Sequence, residues 1–582
     1  MSAPPPPDSA TTPDREIAPG RPTDDAPGAS DGSRGTGAPV PADDLDGIPP
    51  DVYRRRWRVL TAMCTSLLTV MLANGSLNLA LPSLSTDLGL TTLQQTWVID
   101  LYSLTFAALL FTAATVGDRY GRRIVMQAGL VVFVASSAYA ALAVDSGAGL
   151  ILARGLMGLG AAMVMPTTLS IINNVFPRHE RPRAIAVWTG IAGVGTAFGS
   201  VLSGMLLERY DWRSVFVVGG LLAVGALVAN QILAPESRDE RRTPVDWWGG
   251  VLSTIGILGL VYAIIEGPSH GFTDPGVLVG AVAAVLGLGL FAWWQTRTDH
   301  PMLDLKLFRN PVFGVSSLTC AIAFFALFGA FYALAQLFQL ILGYGPLKAS
   351  LVTLPIMLPM MILAPLVPNI VRAWGPRAVI SVGLTVMAVG FLLGSGWEAD
   401  VTYWGVLLPI LVVIVGMALA MPPATELLMS SVPRNRSGMG SAMNDTTREL
   451  GGALGIAILG SLLASGYASG IADAVRDLPA ELRGLAEDSF AVALHAVVPA
   501  VAESAGEEAA AGYLATFEAA WMNGLTQAML VSSILAFVAA AVAFAFMPGR
   551  SKHAAGMAAA SGPAAGSAEP AAEESGKAGA PA

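Results

Sequence analysis

The sequence predicts an all-α integral membrane protein. Three observations carry this. Of 582 residues, 54% are hydrophobic and only 13% charged, whereas a soluble domain carries roughly 25% charged residues. The apolar residues gather in runs of about 20, the length a helix needs to cross the hydrocarbon core. Lysines and arginines collect in every second connection between those runs, as they do when one side of a bilayer is cytoplasmic.

Fourteen apolar segments lie near 58–83, 95–116, 124–143, 148–174, 184–207, 213–233, 247–266, 275–296, 311–341, 348–371, 377–396, 403–430, 438–466 and 521–547. The ninth and thirteenth are long enough to include helix outside the hydrocarbon. The N-terminal flank carries Arg54, Arg55, Arg56 and Arg58, and together with the alternate loops it holds twenty basic residues. The intervening loops hold five: Arg209, Arg213, Lys348, Arg476 and Arg483. That asymmetry predicts an even number of spans with both termini in the cytoplasm.

Residues 1–50 are rich in Pro, Ala, Asp and Gly and cannot bury enough apolar surface to offset ordering entropy. They lack the apolar core and small-residue cleavage site of a signal peptide. Residues 548–582 have the same character, so both ends are expected to be disordered cytoplasmic tails. The net charge of −9 sits mostly in the tails and one late loop and gives no nucleic-acid footprint. Cys64 and Cys320 each lie inside an apolar run, as small packing residues do. No metal-ligand spacing, no phosphate-binding GxxxxGK[ST] run and no nucleophile–base pair is visible, so no cofactor is expected and an enzyme is disfavoured. The 29 arginines against four lysines, with abundant Ala and Gly, suggest a GC-rich bacterial genome.

The seven residues GDRYGRR, 117–123, join the second and third segments and place Asp118, Arg119, Arg122 and Arg123 at a membrane edge. Gly117 and Gly121 allow a tight turn that bulkier residues resist. RAWGPR, 372–377, is a weak echo after the tenth segment. The two are equivalent if segments seven and eight are inserted between two six-helix halves, a common plan with the substrate site at the half interface. The expected division is therefore 51–233, an inserted pair with linkers over 234–310, and 311–547. The acidic, Ala-rich stretch 467–520 is read as an extracellular loop, either a soluble element or a tether.

GDRYGRR resembles the loop signature of the major facilitator superfamily. LARGLMGLGAA in span four, AGVGTAFGSVLSG in span five, NLALPSL at 78–84, WVIDLYSLTFAALL at 97–110 and PTTLSIINNVFP at 166–177 are similar to its fourteen-span drug:proton antiporters, which include quaternary-ammonium, antiseptic and antibiotic efflux pumps. The likeness covers roughly 55–547. It implies a bundle of twelve core helices plus two inserted ones in a bacterial cytoplasmic membrane. It also implies alternating access, with protons and a small-molecule drug or antibiotic, cationic or neutral, as partners.

Candidate site residues follow. An acid in a low-dielectric cavity has its charged form disfavoured and can trade a proton against a substrate. Asp445 and Glu449 lie one turn apart on span thirteen beside Arg448 and Asn444. They form either a proton and substrate site or a self-neutralising packing cluster. Asp445 and Asp100 match acids of the resembling pumps, and Arg154 matches an arginine associated there with proton transfer; on position alone it either faces a cavity or snorkels. Glu426 reads as a solvated helix end. Where the family often has a span-one acid this chain has Ala73, with Asn74 and Asn78 offering neutral polar groups, which disfavours dications. Tyr332 and Gln336 in an aromatic stretch of span nine are candidate cavity residues. Gly195, Gly199 and Gly204 read as a helix-packing face, although Ser200 stands where the antiporter motif has proline. Asp118, with Arg122, resembles a conformational latch that meets an arginine or a helix end in one state and releases it in another. A same-fold importer or a non-transporting receptor would share the bundle.

Overall fold

The computed structural model describes residues 47–90, 92–238 and 244–550. Most of both predicted tails, and Arg241 and Arg242 of the charge count, lie outside the described residues. Within them the chain is helical. The first eight helices are α1 Pro50–Leu88, α2 Thr92–Tyr120, α3 Arg122–Leu142, α4 Gly147–Val175, α5 Arg181–Leu207, α6 Arg213–Leu233, α7 Trp247–His270 and α8 Pro275–Gln295. The remainder are α9 Pro311–Gln336, α10 Pro346–Val352, α11 Leu358–Leu363, α12 Val367–Trp374, α13 Pro376–Gly394, α14 Tyr403–Ser430, α15 Ser437–Ile471, α16 Ala480–Asp488, α17 Phe490–Val492, α18 Val498–Ala505 and α19 Glu507–Phe546. Side-chain caps fix several starts: Ser146 accepts from the Gly149 amide, Asp246 from Gly249, Asp274 from Gly276 and Val277, and Asn310 from Val312. Each satisfies an amide that the first turn leaves orphaned.

Among the described residues twelve helices are long and apolar enough to cross a membrane, or thirteen if one bent pair is a single span. The expected count of fourteen is therefore not reached. The fifth segment is a continuous helix of 27 residues, but only Phe198–Leu207 stands out as an apolar stretch. The tenth segment is not one helix. Leu354–Leu363 and Val367–Trp374 meet at 51°, because Pro355, Pro359, Pro365 and Pro368 each remove a backbone donor. The connection expected over 467–520 is shorter. α15 continues to Ile471, where Tyr467 and Ile471 are buried, and α19 begins at Glu507. The Ala-rich stretch after Glu507 forms helix readily, and Glu507 and Glu508 suit its positive end.

The helices form two packed groups. In the first, α1 packs on α5 and α6, α4 on α2 and α3, and α3 on α6; in the second, α9 packs on α15, α13 on α14, and α19 on α13 and α15. The α7–α8 hairpin leans on α2, and α7 also touches α15. The groups meet where α5 crosses α14 and where α2 and α4 cross α15. One apolar core gathers residues from Ile48 to Phe313 and extends into Leu428, Met429, Val432, Met439 and Ala442; the second runs from Cys320 to Met547. The end carrying the 117–123 and 434–436 connections is here called the basic end.

Candidate functional site

At the basic end, α2 stays helical through Tyr120, so 117–123 is not a turn along its length. The reversal is made at Gly121 alone, whose φ of +122° is strained for a residue with a side chain. Gly117 is helical and lies against Thr167 of α4. Asp118 accepts from Arg122 Nε at 2.8 Å and pairs with Nη2 at 2.7 Å. It also accepts from the Gly438 amide at 3.2 Å, in the first turn of α15, where a carboxylate suits the helix dipole. A Cβ at Gly438 would meet that carboxylate at 2.6 Å. Buried Arg122 donates to the Asn435 and Arg434 carbonyls at 3.2 and 3.4 Å. Beside it, Ser437 Oγ meets Ser170 Oγ at 2.7 Å and accepts from Asn174 at 2.9 Å. Arg123 instead stays within the first group, donating to the Gln231 carbonyl, and Arg119 lies over Tyr120.

Two to three turns into α15 is a buried polar cluster. Asn444 donates to Asp445 Oδ1 at 3.0 Å and accepts from Thr425 at 3.2 Å. Asp445 and Arg448 interact electrostatically, and both are buried. The Arg448 guanidinium lies 4.4 Å from the Phe324 ring centre and 5.4 Å from that of Trp188. Glu449, one turn after Asp445, lines a cavity.

That cavity, of about 960 Å³, lies toward the end opposite the basic one. Such a volume holds a drug-sized molecule. Asn74, Asp100, Tyr332, Gln336 and Glu449 all line it, so five of the sequence candidates come together. Phe328, Val261 and Ile264 supply apolar wall, while Glu487 and Phe490 come from the connection before α19. Asn444, Asp445 and Arg448 are not on the wall. The side chain of Asn78 lies outside the described residues. Among the described residues no group of three or more His, Cys, Asp or Glu could hold a metal.

Arg154 does not snorkel: it is 1% exposed. Its Nε donates to the Val98 carbonyl at 3.0 Å and Nη1 to that of Ala73 at 3.4 Å, and it lies over Tyr102. Asp100 and Arg154 interact electrostatically. Glu426 is not a solvated helix end. It is buried, because α14 packs there on α5, where Arg181 acts on it electrostatically. Gly195 and Gly199 admit α1 closely, a Cβ meeting Met71 at 2.7 Å and the Leu72 carbonyl at 2.5 Å respectively, and Gly204 is buried farther along α5. Sequence reasoning missed Ser170, Asn174 and Ser437, and also Glu266 of α7, which is buried and interacts with Asp100. An acid inside an apolar run was the available signal for Glu266.

Residues 63–456 match the family model described as Major Facilitator Superfamily. The chain is 34% identical over 503 residues, 86% of its length and 98% of the relative's, to the multidrug efflux pump LfrA of Mycolicibacterium smegmatis. It is 36% identical over 410 residues, 70% of its length and 76% of the relative's, to the multidrug resistance protein Stp of Mycobacterium tuberculosis. Among solved structures, the proton:xylose symporter XylE superposes with a TM-score of 0.52 at 15% identity, covering 85% of this chain and 96% of that one, a likeness of fold.

Proposed function

We propose that this chain, which belongs to the major facilitator superfamily, exports drug-like small molecules across a bacterial cytoplasmic membrane in exchange for protons. It acts as a carrier, not an enzyme. The observation that carries this is one cavity lined by Asp100, Glu449, Tyr332 and Gln336 and sealed at the basic end by the contacts between the helix groups. The efflux and resistance names of LfrA and Stp support the direction and the class of cargo. The charge bias of the loops supports placing the basic end and both termini in the cytoplasm. The structure then corresponds to the outward-facing state.

In this reading Asp118, Arg122 and the first turn of α15 are the latch, with Gly121 supplying the turn and Arg119 and Arg123 anchoring its flanks. Gly195, Gly199 and Gly204 hold α5 as a packed element against which the second half moves. Protons arriving through the cavity protonate Glu449 or, behind it, Asp445. Neutralising either removes a counter-charge for a cationic drug and favours release. Asp100 and Arg154 modulate the same field. Asn74, Tyr332 and Gln336 provide neutral polar contacts on the cavity wall, and Asn444 holds Asp445 behind it. With Ala73 where related pumps carry an acid, neutral and monocationic cargo is favoured over dications.

The test is uphill ethidium efflux from energised cells. The wild type should export, a protonophore should abolish export, and Asp445→Asn should slow it about tenfold or more, as loss of a coupling group does. Export that survives the protonophore would exclude proton coupling. Export that ignores Asp445→Asn would move the coupling role to Glu449 or Asp100.

A further inference from the structure

We propose that Trp188 and Phe324 form a cage for a bulky organic monocation without N–H donors, and that in the present conformation Arg448 of the same chain occupies it as a tethered competitor. This rests on the export reading and adds a binding site to it.

The two rings come from different helix groups, Trp188 from α5 and Phe324 from α9, and both present a face to one guanidinium. All three side chains are buried. The Trp188 ring is held in place, its indole N–H donated to Thr168 Oγ1 at 3.1 Å. A cation over an aromatic face is attracted by the ring quadrupole, more strongly when desolvated. Asp445 and Glu449 add their field at the same point.

The site suits Arg448 poorly in one respect. Its Nε and Nη1 are buried without a hydrogen-bond partner among the described residues, a cost for any donor removed from water. A quaternary or delocalised cation has no such donors to leave unpaired. It would take the ring faces and the acid field without that penalty.

The cage also adjoins the cavity. Phe324 stands edge-on to Phe328, with ring centres 5.4 Å apart, and Phe328 lines the cavity, as does Glu449, the residue after Arg448. Cargo and guanidinium exclude one another there. Because the rings belong to different helix groups, rearrangement of the groups changes which of the two the cage holds. Return of Arg448 to the cage expels the cation toward the cavity.

The experiment is equilibrium binding of tetraphenylphosphonium to the purified full chain. Trp188→Leu and Phe324→Leu should each weaken binding about fivefold or more, and Trp188→Phe should retain most of it. Arg448→Met should tighten binding about tenfold by removing the competitor, while Arg448→Lys, which keeps a tethered cation, stays near the wild type. Thermal unfolding of each variant identifies a misfolded one, and the Lys and Phe variants keep the comparison decidable if the others fail to fold. Weaker binding to Arg448→Met than to the wild type, or binding indifferent to both ring substitutions, overturns the cage. So does an absence of binding in every folded variant. A wild type that exports ethidium while its ring variants bind normally keeps the export reading and removes the cage. Tightened binding in Arg448→Met without any export does the reverse.

Discussion

At the basic end α14 and α15 run into the first apolar core, with Leu428, Met429, Val432, Met439 and Ala442 packed among residues of α1–α9. Toward the other end α15 borders a cavity of about 960 Å³. One helix thus takes part in a dry seal at its start and an open wall farther along. The seal is built from small and polar groups, Gly438, Ser437 and Asp118, that permit close approach and directional bonds. The wall is built from aromatic, amide and carboxylate side chains that leave space. Because α15 carries both features and contributes to both cores, a tilt of this one helix would change seal and wall together.

The strongest way to break that contrast is to remove Asp118. The Arg122 side chain is 2% exposed, and a buried charge stripped of its partner costs about 3–5 kcal/mol. Asp118→Ala should therefore open the seal. In a chain with Cys64 and Cys320 replaced by alanine, a cysteine at Ser170 should react with a charged thiol reagent about a hundredfold faster after Asp118→Ala, the equivalent of nearly 3 kcal/mol. An unchanged rate would place the seal in the apolar contacts of α14 and α15 instead of in the ion pair.

Ser437→Ala sharpens the same point with a smaller effect. It removes the contacts to Ser170 and Asn174, while Asn174 keeps its bond to the Ser170 carbonyl. With the reporter cysteine moved to Asn174 only the bond to Ser170 remains to be lost, and one hydrogen bond of about 0.5–1.5 kcal/mol predicts about a fivefold gain in access. Equal effects of Ser437→Ala and Asp118→Ala would mean that the carboxylate contributes no more than a hydroxyl.

What could be foreseen from the sequence divides along the same line. GDRYGRR was legible because its seven residues are contiguous, and Asp118 bonds a partner only four residues away. Ser437 was not, because Ser170 lies 267 positions from it and nothing local marks either serine. The acids of α15 were visible as charges in an apolar run. Their different fates, with Glu449 on the cavity wall and Asp445 behind it, follow from packing against α9 that no spacing encodes. Glu426 was misjudged because closeness to a helix end suggests water, whereas α5 and Arg181 cover it. The break in the tenth segment was written in four prolines, but an apolar run hides a bend when only hydrophobicity is counted.

The smallest effect is expected at Asp87, on the opposite end, where the contacts lie within one helix group. Its exposed carboxylate accepts from Trp212 Nε1 at 2.8 Å and from Arg213 at 3.2 Å. The hydrogen bonds from Trp212 and Arg213 hold it below its ordinary range. A carboxyl whose folded-state value is lowered contributes stability above its unfolded value, near 3.9, and loses it as pH falls through the folded one. The contribution is therefore complete at neutral pH and fades only in strong acid. Asp87→Asn should flatten this acid-dependent part of the thermal stability below about pH 4 while leaving alkylation at Ser170 and ethidium export at neutral pH as they are. A change in Ser170 access would show that the α1–α6 contact is coupled to the seal, and that the two ends do not act as separately as their construction implies.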